Sequence, residues 1–362
     1  MTRVHYLFMA GGTGGHVFPA LAVAKELLRR GAKVSWLGTA THIESKVVTN
    51  EDIPFYAISA KGVRGKHWLL KLGAPFMLGI TVFQAMNILL KIKPSVVIGF
   101  GGFVSAPGAL AAKLLNKKLI IHEQNAVAGT TNRLLARLAI KKLVGFDGSL
   151  PDALYVGNPV RSEIVALSQS DSKIHPVNQH TEKPLKLLII GGSLGAQALN
   201  NIVPAGLALL PKLLRPHVWH QTGKDKHIGL DKFYSNNCIS ARVTEFIDDM
   251  ATAYNWADLV ICRAGALTVS EISVAGLPAL FVPFPYAVDD HQSQNARWLV
   301  ARGAALEEQQ MTLTAERLAD VLQSLLQDKQ RLIHMAETAK ALSLPKATAR
   351  VADICEEVAS AS

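Results

Sequence analysis

LKLLIIGGSLGAQALNNIV (Leu185–Val203) reads as a buried apolar strand, a glycine loop and the opening turns of a helix. The same order stands at the amino terminus. There VHYLFM (Val4–Met9) runs into AGGTGGH (Ala10–His16) and then into the helical pattern PALAVAKELLRRG (Pro19–Gly31). A strand, loop and helix that restart midway along a 362-residue chain predict two tandem α/β domains. Between the two starts, KVSWLG (Lys33–Gly38), SVVIGF (Ser95–Phe100), KLIIHE (Lys118–Glu123) and KLVGF (Lys142–Phe146) continue the strand series. HVWHQ (His217–Gln221), DLVICR (Asp258–Arg263) and PALFVPF (Pro278–Phe284) follow the second start. Strands alternating with helices predict parallel, doubly wound, Rossmann-like sheets. Ligands of such sheets bind beyond the carboxyl ends of the strands, so a cleft faced by both domains is the expected site. The polar run SQSDSKIHPVNQHTEKP (Ser168–Pro184) reads as a linker or exposed loop.

Composition excludes several classes. Hydrophobic residues make up 49% and charged residues 18%, which rules out disorder and fibrous architectures. The three cysteines, Cys238, Cys262 and Cys355, form no CxxC, so a disulfide framework and a thiolate zinc site are not expected, and a reducing compartment is. The opening MTRVHYLFMAGG lacks the apolar stretch and cleavage site of a signal peptide. Charge is asymmetric. Residues 1–160 hold 19 Lys+Arg against 7 Asp+Glu, a net of +12, and the remainder carries a net of −2. The excess points to an anionic partner for the first half alone: nucleic acid, a phosphorylated substrate or an anionic membrane.

Leu72–Leu90 is 19 residues without a charge, flanked by Lys61, Arg64, Lys66, Lys71, Lys91 and Lys93. Its length allows a transmembrane span, but Gly73, Pro75, Gly79, Gln84 and Asn87 argue against one, and a span would cut an α/β domain in two. Trp68, Leu72, Phe76, Gly79, Phe83, Met86 and Leu90 fall on one helical face. That face either packs on the sheet or forms a lysine-ringed interfacial patch.

Three glycine loops follow strands: AGGTGGH, GFGGF (Gly99–Phe103) and GGSLGAQ (Gly191–Gln197). Glycine lets backbone approach a ligand, and a following helix offers free N–H groups to phosphate. The first loop is a poor dinucleotide fingerprint, no P-loop is present, and the absence of HExxH and DxD gives no reason to expect a resident metal. GGSLG also fits the GxSxG elbow of α/β-hydrolases, although it opens a second domain that a hydrolase does not need.

AGGTGGHVFPALAVA, GFGGFVSAPGALAA, HEQNAVAGTTNRLLA (His122–Ala136), VGNPVR (Val156–Arg161), GGSLGAQALN, the block Val243–Ile272 and DDHQSQNA (Asp289–Ala296) together resemble the MurG family. These are the undecaprenyl-diphospho-muramoylpentapeptide β-N-acetylglucosaminyltransferases of glycosyltransferase family 28. The resemblance covers nearly the whole chain and departs in the linker and the carboxyl-terminal tail. It implies the GT-B fold, with an acceptor and membrane-facing domain at 1–162, a UDP-GlcNAc domain at 163–341, and helix 342–362 packing back on the first domain. It also implies an inverting single displacement without a cofactor, in which the 4-hydroxyl of the muramoyl sugar attacks GlcNAc and UDP leaves. The implied partners are UDP-GlcNAc, the polyprenyl-linked acceptor lipid I and an anionic membrane surface, but no nucleic acid. Proteins of the cell-wall and division machinery are further partner candidates. The expected place is the cytoplasmic face of the bacterial inner membrane, held peripherally by Lys66, Trp68, Lys71, Leu72 and Phe76.

By this resemblance Thr13, Gly14 and Gly15 contact the donor sugar or diphosphate, and Asn125 contacts the donor sugar. Arg161 faces the diphosphate with a fork of donors. Ser193 could donate to phosphate, and Ile247 meets the uracil through its backbone. Ala266, Leu267, Thr268, Val269, Ser270 and Glu271 begin a helix whose N-terminus faces UDP. Glu271, read as a first-turn acid, accepts the ribose hydroxyls. Gln292 and Asn295 read the GlcNAc hydroxyls. His16, beside a positive helix end that favours a neutral ring, is the expected general base, and Glu123 is its competitor.

Overall fold

A computed structural model describes residues 3–60, 74–169, 184–192 and 195–361. The chain divides into two compact units, Met1–Arg161 with Leu344–Ser362, and Ser162–Ser343.

The first unit holds seven parallel strands: β1 (His5–Met9), β2 (Lys33–Gly38), β3 (Phe55–Ala57), β4 (Val96–Gly99), β5 (Lys118–Glu123), β6 (Lys141–Val144) and β7 (Leu154–Tyr155). They lie in the order β3-β2-β1-β4-β5-β6-β7. Alternation along β1 sorts its side chains between the two faces. Tyr6 and Phe8 join Trp36, Ile98 and Phe100 under the helices Gly14–Arg29 and Ala347–Ser360. Leu7 and Met9 join Leu37, Val97 and Ile121 under the helices Ala74–Ile92 and Ser105–Leu114. Small residues let Ser105–Leu114 press close: a Cβ added at Gly108 would stand 2.2 Å from Met9 Sδ.

The second unit repeats the plan with β8 (Lys186–Ile190), β9 (His217–Gln221), β10 (Ala241–Thr244), β11 (Leu259–Cys262), β12 (Ala279–Phe281) and β13 (Ala305–Glu307). Their order is β10-β9-β8-β11-β12-β13, again all parallel. In each unit the strand order reverses beside the first strand, between β1 and β4 and between β8 and β11. That reversal opens the crevice in which open α/β sheets take ligands.

The structure differs from the sequence reading in several elements. The first helix begins at Gly14, five residues before the expected Pro19, so the glycine loop is itself the first helical turn and Pro19 lies inside the helix. β3, β7, β10 and β13 were not expected; each has only two to four residues and at least one exposed or half-buried position, too short to stand out from the chain around it. Of the segment Leu72–Leu90, residues from Ala74 form a helix to Ile92. Its buried positions are Thr81, Ala85 and Leu89, whereas Phe76, Phe83 and Leu90 of the expected stripe face outward. No helix among the described residues is long and apolar enough to cross a membrane.

Candidate active site

At the carboxyl end of β1 the chain turns through Gly11 and Gly12 into the helix Gly14–Arg29. Gly12 adopts φ +93°, a left-handed conformation suited to glycine. Behind this turn lies Glu44, fully buried. Its Oε2 accepts the Gly12 N–H at 3.2 Å, and its Oε1 accepts the Thr39 hydroxyl at 2.6 Å and the Thr39 N–H at 3.2 Å. A Cβ at Gly11 would sit 2.7 Å from Glu44 Oε1, so glycine there makes room for the carboxylate. The sequence reading missed Glu44, because a lone acid after a strand carries no local signal.

Thr13 is exposed and precedes the helix, and no side chain caps it. Gly14 lies against the Phe18 ring, where an added Cβ would stand 2.9 Å from Cε2. The Arg161 guanidinium lies over the other participant in this contact, 5.9 Å from the Phe18 ring centroid. Phe18 therefore lies between Gly14 and Arg161.

His16 is the third residue of the helix, not a residue ahead of it. Its Nδ1 lies 2.8 Å from Gln124 Oε1. Asn125, next in the chain, donates from its N–H (2.9 Å) and its side-chain amide (3.1 Å) to Glu123 Oε1. Glu123 Oε2 accepts from Gly129 N–H at 3.1 Å and from the Asn132 amide at 2.9 Å. With 1% exposure and four donors on its two oxygens, Glu123 is built to hold the turn after β5 and has little left for an attacking hydroxyl. The structure thus disfavours it as the competing base.

In the second unit β11 leads into the helix Ala266–Ala275. Its N-cap is Gly265, no side chain caps it, and the N–H groups of Ala266, Leu267 and Thr268 lie in its first turn. Three expectations change here. Val269 is fully buried and its N–H is taken by the Gly265 carbonyl at 2.9 Å, so it offers a ligand nothing. The Ser270 hydroxyl donates to the Ala266 carbonyl at 3.0 Å, a bond internal to the helix. Glu271 lies in the second turn, not the first, and is 4% exposed. Its Oε2 accepts the Tyr254 hydroxyl at 3.1 Å, a partner the sequence reading did not anticipate.

Asn295 is fully buried, and its amide donates to the Ala264 carbonyl at 3.1 Å, which fixes the backbone just before this helix. It acts on the loop, so the expected contact with GlcNAc falls to Gln292. Gln292 Oε1 accepts the Phe284 N–H at 2.9 Å, leaving its amide nitrogen to donate. Asp289 and Asp290, at φ +54° and +50°, form a left-handed turn just ahead of Gln292, a conformation seldom held without cause.

Ser193 lies outside the described residues. Around it, Gln221 ties the third glycine loop to the segment of Ile247. Its Oε1 accepts the Gly191 N–H at 3.1 Å and its amide donates to the carbonyls of Gly192 (3.2 Å) and Glu245 (3.0 Å). Ile247 itself is 6% exposed. Lys66, Trp68, Lys71 and Leu72 also lie outside the described residues, and Phe76 is 76% exposed. Among the described residues no group of three or more His, Cys, Asp or Glu side chains could hold a metal ion.

Residues 6–144 match the glycosyltransferase family 28 N-terminal domain, and residues 186–356 match the family 28 C-terminal domain. The chain belongs to glycosyltransferase family 28. Within family 28 it is 51% identical, over 99% of both chains, to the UDP-N-acetylglucosamine–N-acetylmuramyl-(pentapeptide) pyrophosphoryl-undecaprenol N-acetylglucosamine transferase of Cellvibrio japonicus. The crystal structure of Acinetobacter baumannii MurG superposes with a TM-score of 0.84 at 42% identity, covering 98% of this chain and 99% of that one. A UDP-N-acetylglucosamine 2-epimerase structure from Listeria monocytogenes, at 14% identity and a TM-score of 0.64, shares the fold alone. The fold of this family 28 chain is GT-B, two parallel-sheet α/β domains of seven and six strands.

Proposed function

We propose that this chain transfers GlcNAc from UDP-GlcNAc to the 4-hydroxyl of the muramoyl sugar in undecaprenyl-diphospho-MurNAc-pentapeptide, as a step of peptidoglycan precursor synthesis. The observation that carries the reading is the 51% identity to a transferase so named, sustained over 99% of both chains. In this reading the first unit takes the acceptor and the second the donor, and the reaction inverts the anomeric centre in one displacement.

His16 Nε2 takes the proton as the hydroxyl oxygen bonds to the anomeric carbon. The bond from that carbon to the UDP oxygen breaks, and its electron pair leaves with the diphosphate. The N–H groups of Ala266, Leu267 and Thr268, the positive end of their helix and the Arg161 guanidinium stabilise that charge. Glu271 accepts the ribose hydroxyls, and Gln292 donates to the sugar. Thr13, Gly14, Gly15 and Asn125 line the acceptor unit's share of the donor, and Ser193 and the Ile247 backbone complete the nucleotide contacts. Peripheral attachment to the cytoplasmic face of the membrane is part of this reading, supported by the exposed apolar side chains of the helix Ala74–Ile92 and the lysines flanking it in sequence.

Purified protein given UDP-GlcNAc with either the polyprenyl-diphospho-muramoylpentapeptide or diacylglycerol tests the substrate. Product from the first acceptor alone is expected; product from the second alone would sink the reading. His16→Ala is expected to lower kcat by about 10²–10⁴-fold while UDP binding persists.

A further inference from the structure

Among the described residues the His16 side chain is held by one hydrogen bond, from Nδ1 to Gln124 Oε1 at 2.8 Å. The ring is also seated against backbone: Gly101, at φ +98°, would place a Cβ 3.2 Å from Cε1 and Nδ1. Gln124 is 1% exposed, and its amide nitrogen lies 3.0 Å from His122 Nδ1 and 2.9 Å from the His122 carbonyl. The His122 ring is fully buried, stacks on Phe100 at 5.2 Å, and reaches the Gly157 carbonyl through Nε2 at 3.0 Å. The chain of contacts thus runs from the VGNPVR block through HEQN to AGGTGGH.

Groups that can only accept decide where each proton sits. The Gly157 carbonyl accepts, so His122 Nε2 carries the hydrogen. Burial pushes the His122 ring down to a pKa of about 4, so the ring is neutral and Nδ1 is an acceptor. Nδ1 and the His122 carbonyl both require a donor, which orients the Gln124 amide with NH₂ toward His122. Gln124 Oε1 then faces His16, and His16 Nδ1 carries the hydrogen. The ring's lone pair is left on Nε2, which has no hydrogen-bond partner among the described residues.

We infer that Gln124 and His122 are positioning residues that hold His16 in its Nδ1–H tautomer, so that Nε2 is the atom that accepts the acceptor hydroxyl's proton. This rests on His16 being the base proposed above. No proton passes along the relay. The amide cannot take one, and its role is to fix the tautomer and to place a carbonyl dipole against the imidazolium that forms as UDP departs.

The test joins nuclear magnetic resonance to kinetics. Long-range proton–nitrogen spectra of the full-length protein with labelled histidine read which His16 nitrogen is protonated; His16→Ala assigns the signal. The neutral ring is expected to carry its proton on Nδ1, and a proton on Nε2 in the wild-type protein overturns the inference without any relay variant. Gln124→Met keeps the bulk and removes the acceptor. It is expected to shift the ring toward the Nε2–H form and to lower kcat on the order of 10–100-fold, with the KM for UDP-GlcNAc little changed. Gln124→Glu restores an acceptor at Nδ1 and is expected to restore the tautomer and kcat above the Gln124→Met level. If His16→Ala leaves kcat intact, the base reading has failed. If His16→Ala is inactive while Gln124→Met alters neither tautomer nor kcat, the relay alone has failed.

Discussion

At the scale of single residues, the site is fixed by buried polar groups that hold one another through hydrogen bonds. In the proposed reaction Glu271 is the residue assigned to the ribose of the donor. Its carboxylate is nearly buried and accepts the Tyr254 hydroxyl, which fixes the orientation in which the proposal has it meet ribose. Glu271→Gln removes the charge from bonds worth about 1.5–3 kcal/mol. UDP affinity should fall roughly 10–100-fold, with KM for UDP-GlcNAc rising more than kcat falls. Unchanged UDP affinity in calorimetry would reject the ribose role. Two buried histidines make a second prediction. Desolvation lowers His122 and His220 to about 4, against 6.5 for the free side chain. Below pH 6.5 the unfolded chain binds protons that the folded rings refuse, so stability falls from there to about pH 4, by up to about 3 kcal/mol for each ring. Urea titrations across that range should show the slope, and His220→Gln should flatten it; an unchanged slope in the variant would contradict this. Residues such as His16 and Glu271 could be proposed from sequence because they sit inside long motifs. Glu44, Gln124 and Tyr254 were not assigned, since their partners lie 32, 108 and 17 residues away and only the folded sheet brings them together.

At the scale of elements, apolar runs revealed the strands that are buried on both faces, such as β1, β4 and β8, and the restart at Leu185 revealed the second sheet. The short strands β3, β7 and β10 escaped because two to four residues are too few to establish a strand period. The carboxyl-terminal helix shows which forces place an element. Val351, Ile354 and Val358 bury against the helix Gly14–Arg29, and Arg30 pairs with Asp353 and Glu356, each at 2.7 Å, and with Glu26 at 2.8 Å. The Arg29 hydrogen bond, with help from Arg30, lowers Glu26 to about 2, so the stability that Glu26 adds is complete above about pH 4.5 and is lost as the pH falls from there toward 2. Asp353 and Glu356 are nearly half exposed, which limits each pair to a fraction of a kcal/mol up to about one. Apolar burial should therefore dominate. Ile354→Ala is expected to cost about 2–5 kcal/mol and Arg30→Ala about 1–2 kcal/mol in denaturant unfolding. A larger loss from Arg30→Ala would mean that charge, not packing, holds the helix.

At the scale of the whole molecule, charge and apolar exposure coincide in one unit. Residues 1–161 with 344–362 carry 22 Lys+Arg against 10 Asp+Glu, a net of +12, while the other unit carries −2. On the same unit Phe76 is 76% exposed, Phe83 63% and Leu90 55%, along a helix that turns Ala85 and Leu89 to the sheet. Exposed aromatic side chains on a basic surface suit insertion at a lipid headgroup boundary, where each nearby basic residue adds about 1 kcal/mol to apolar insertion. Two separable contributions follow. Phe76→Ser with Phe83→Ser should weaken sedimentation with vesicles whether or not the lipid is anionic. Reversing the charges of Lys66 and Lys71 should weaken it only with anionic vesicles, and raised salt should reproduce that loss by screening. Binding that ignores salt and lipid charge would remove the electrostatic part. Binding that survives the paired phenylalanine substitution would move the apolar contact away from Phe76 and Phe83.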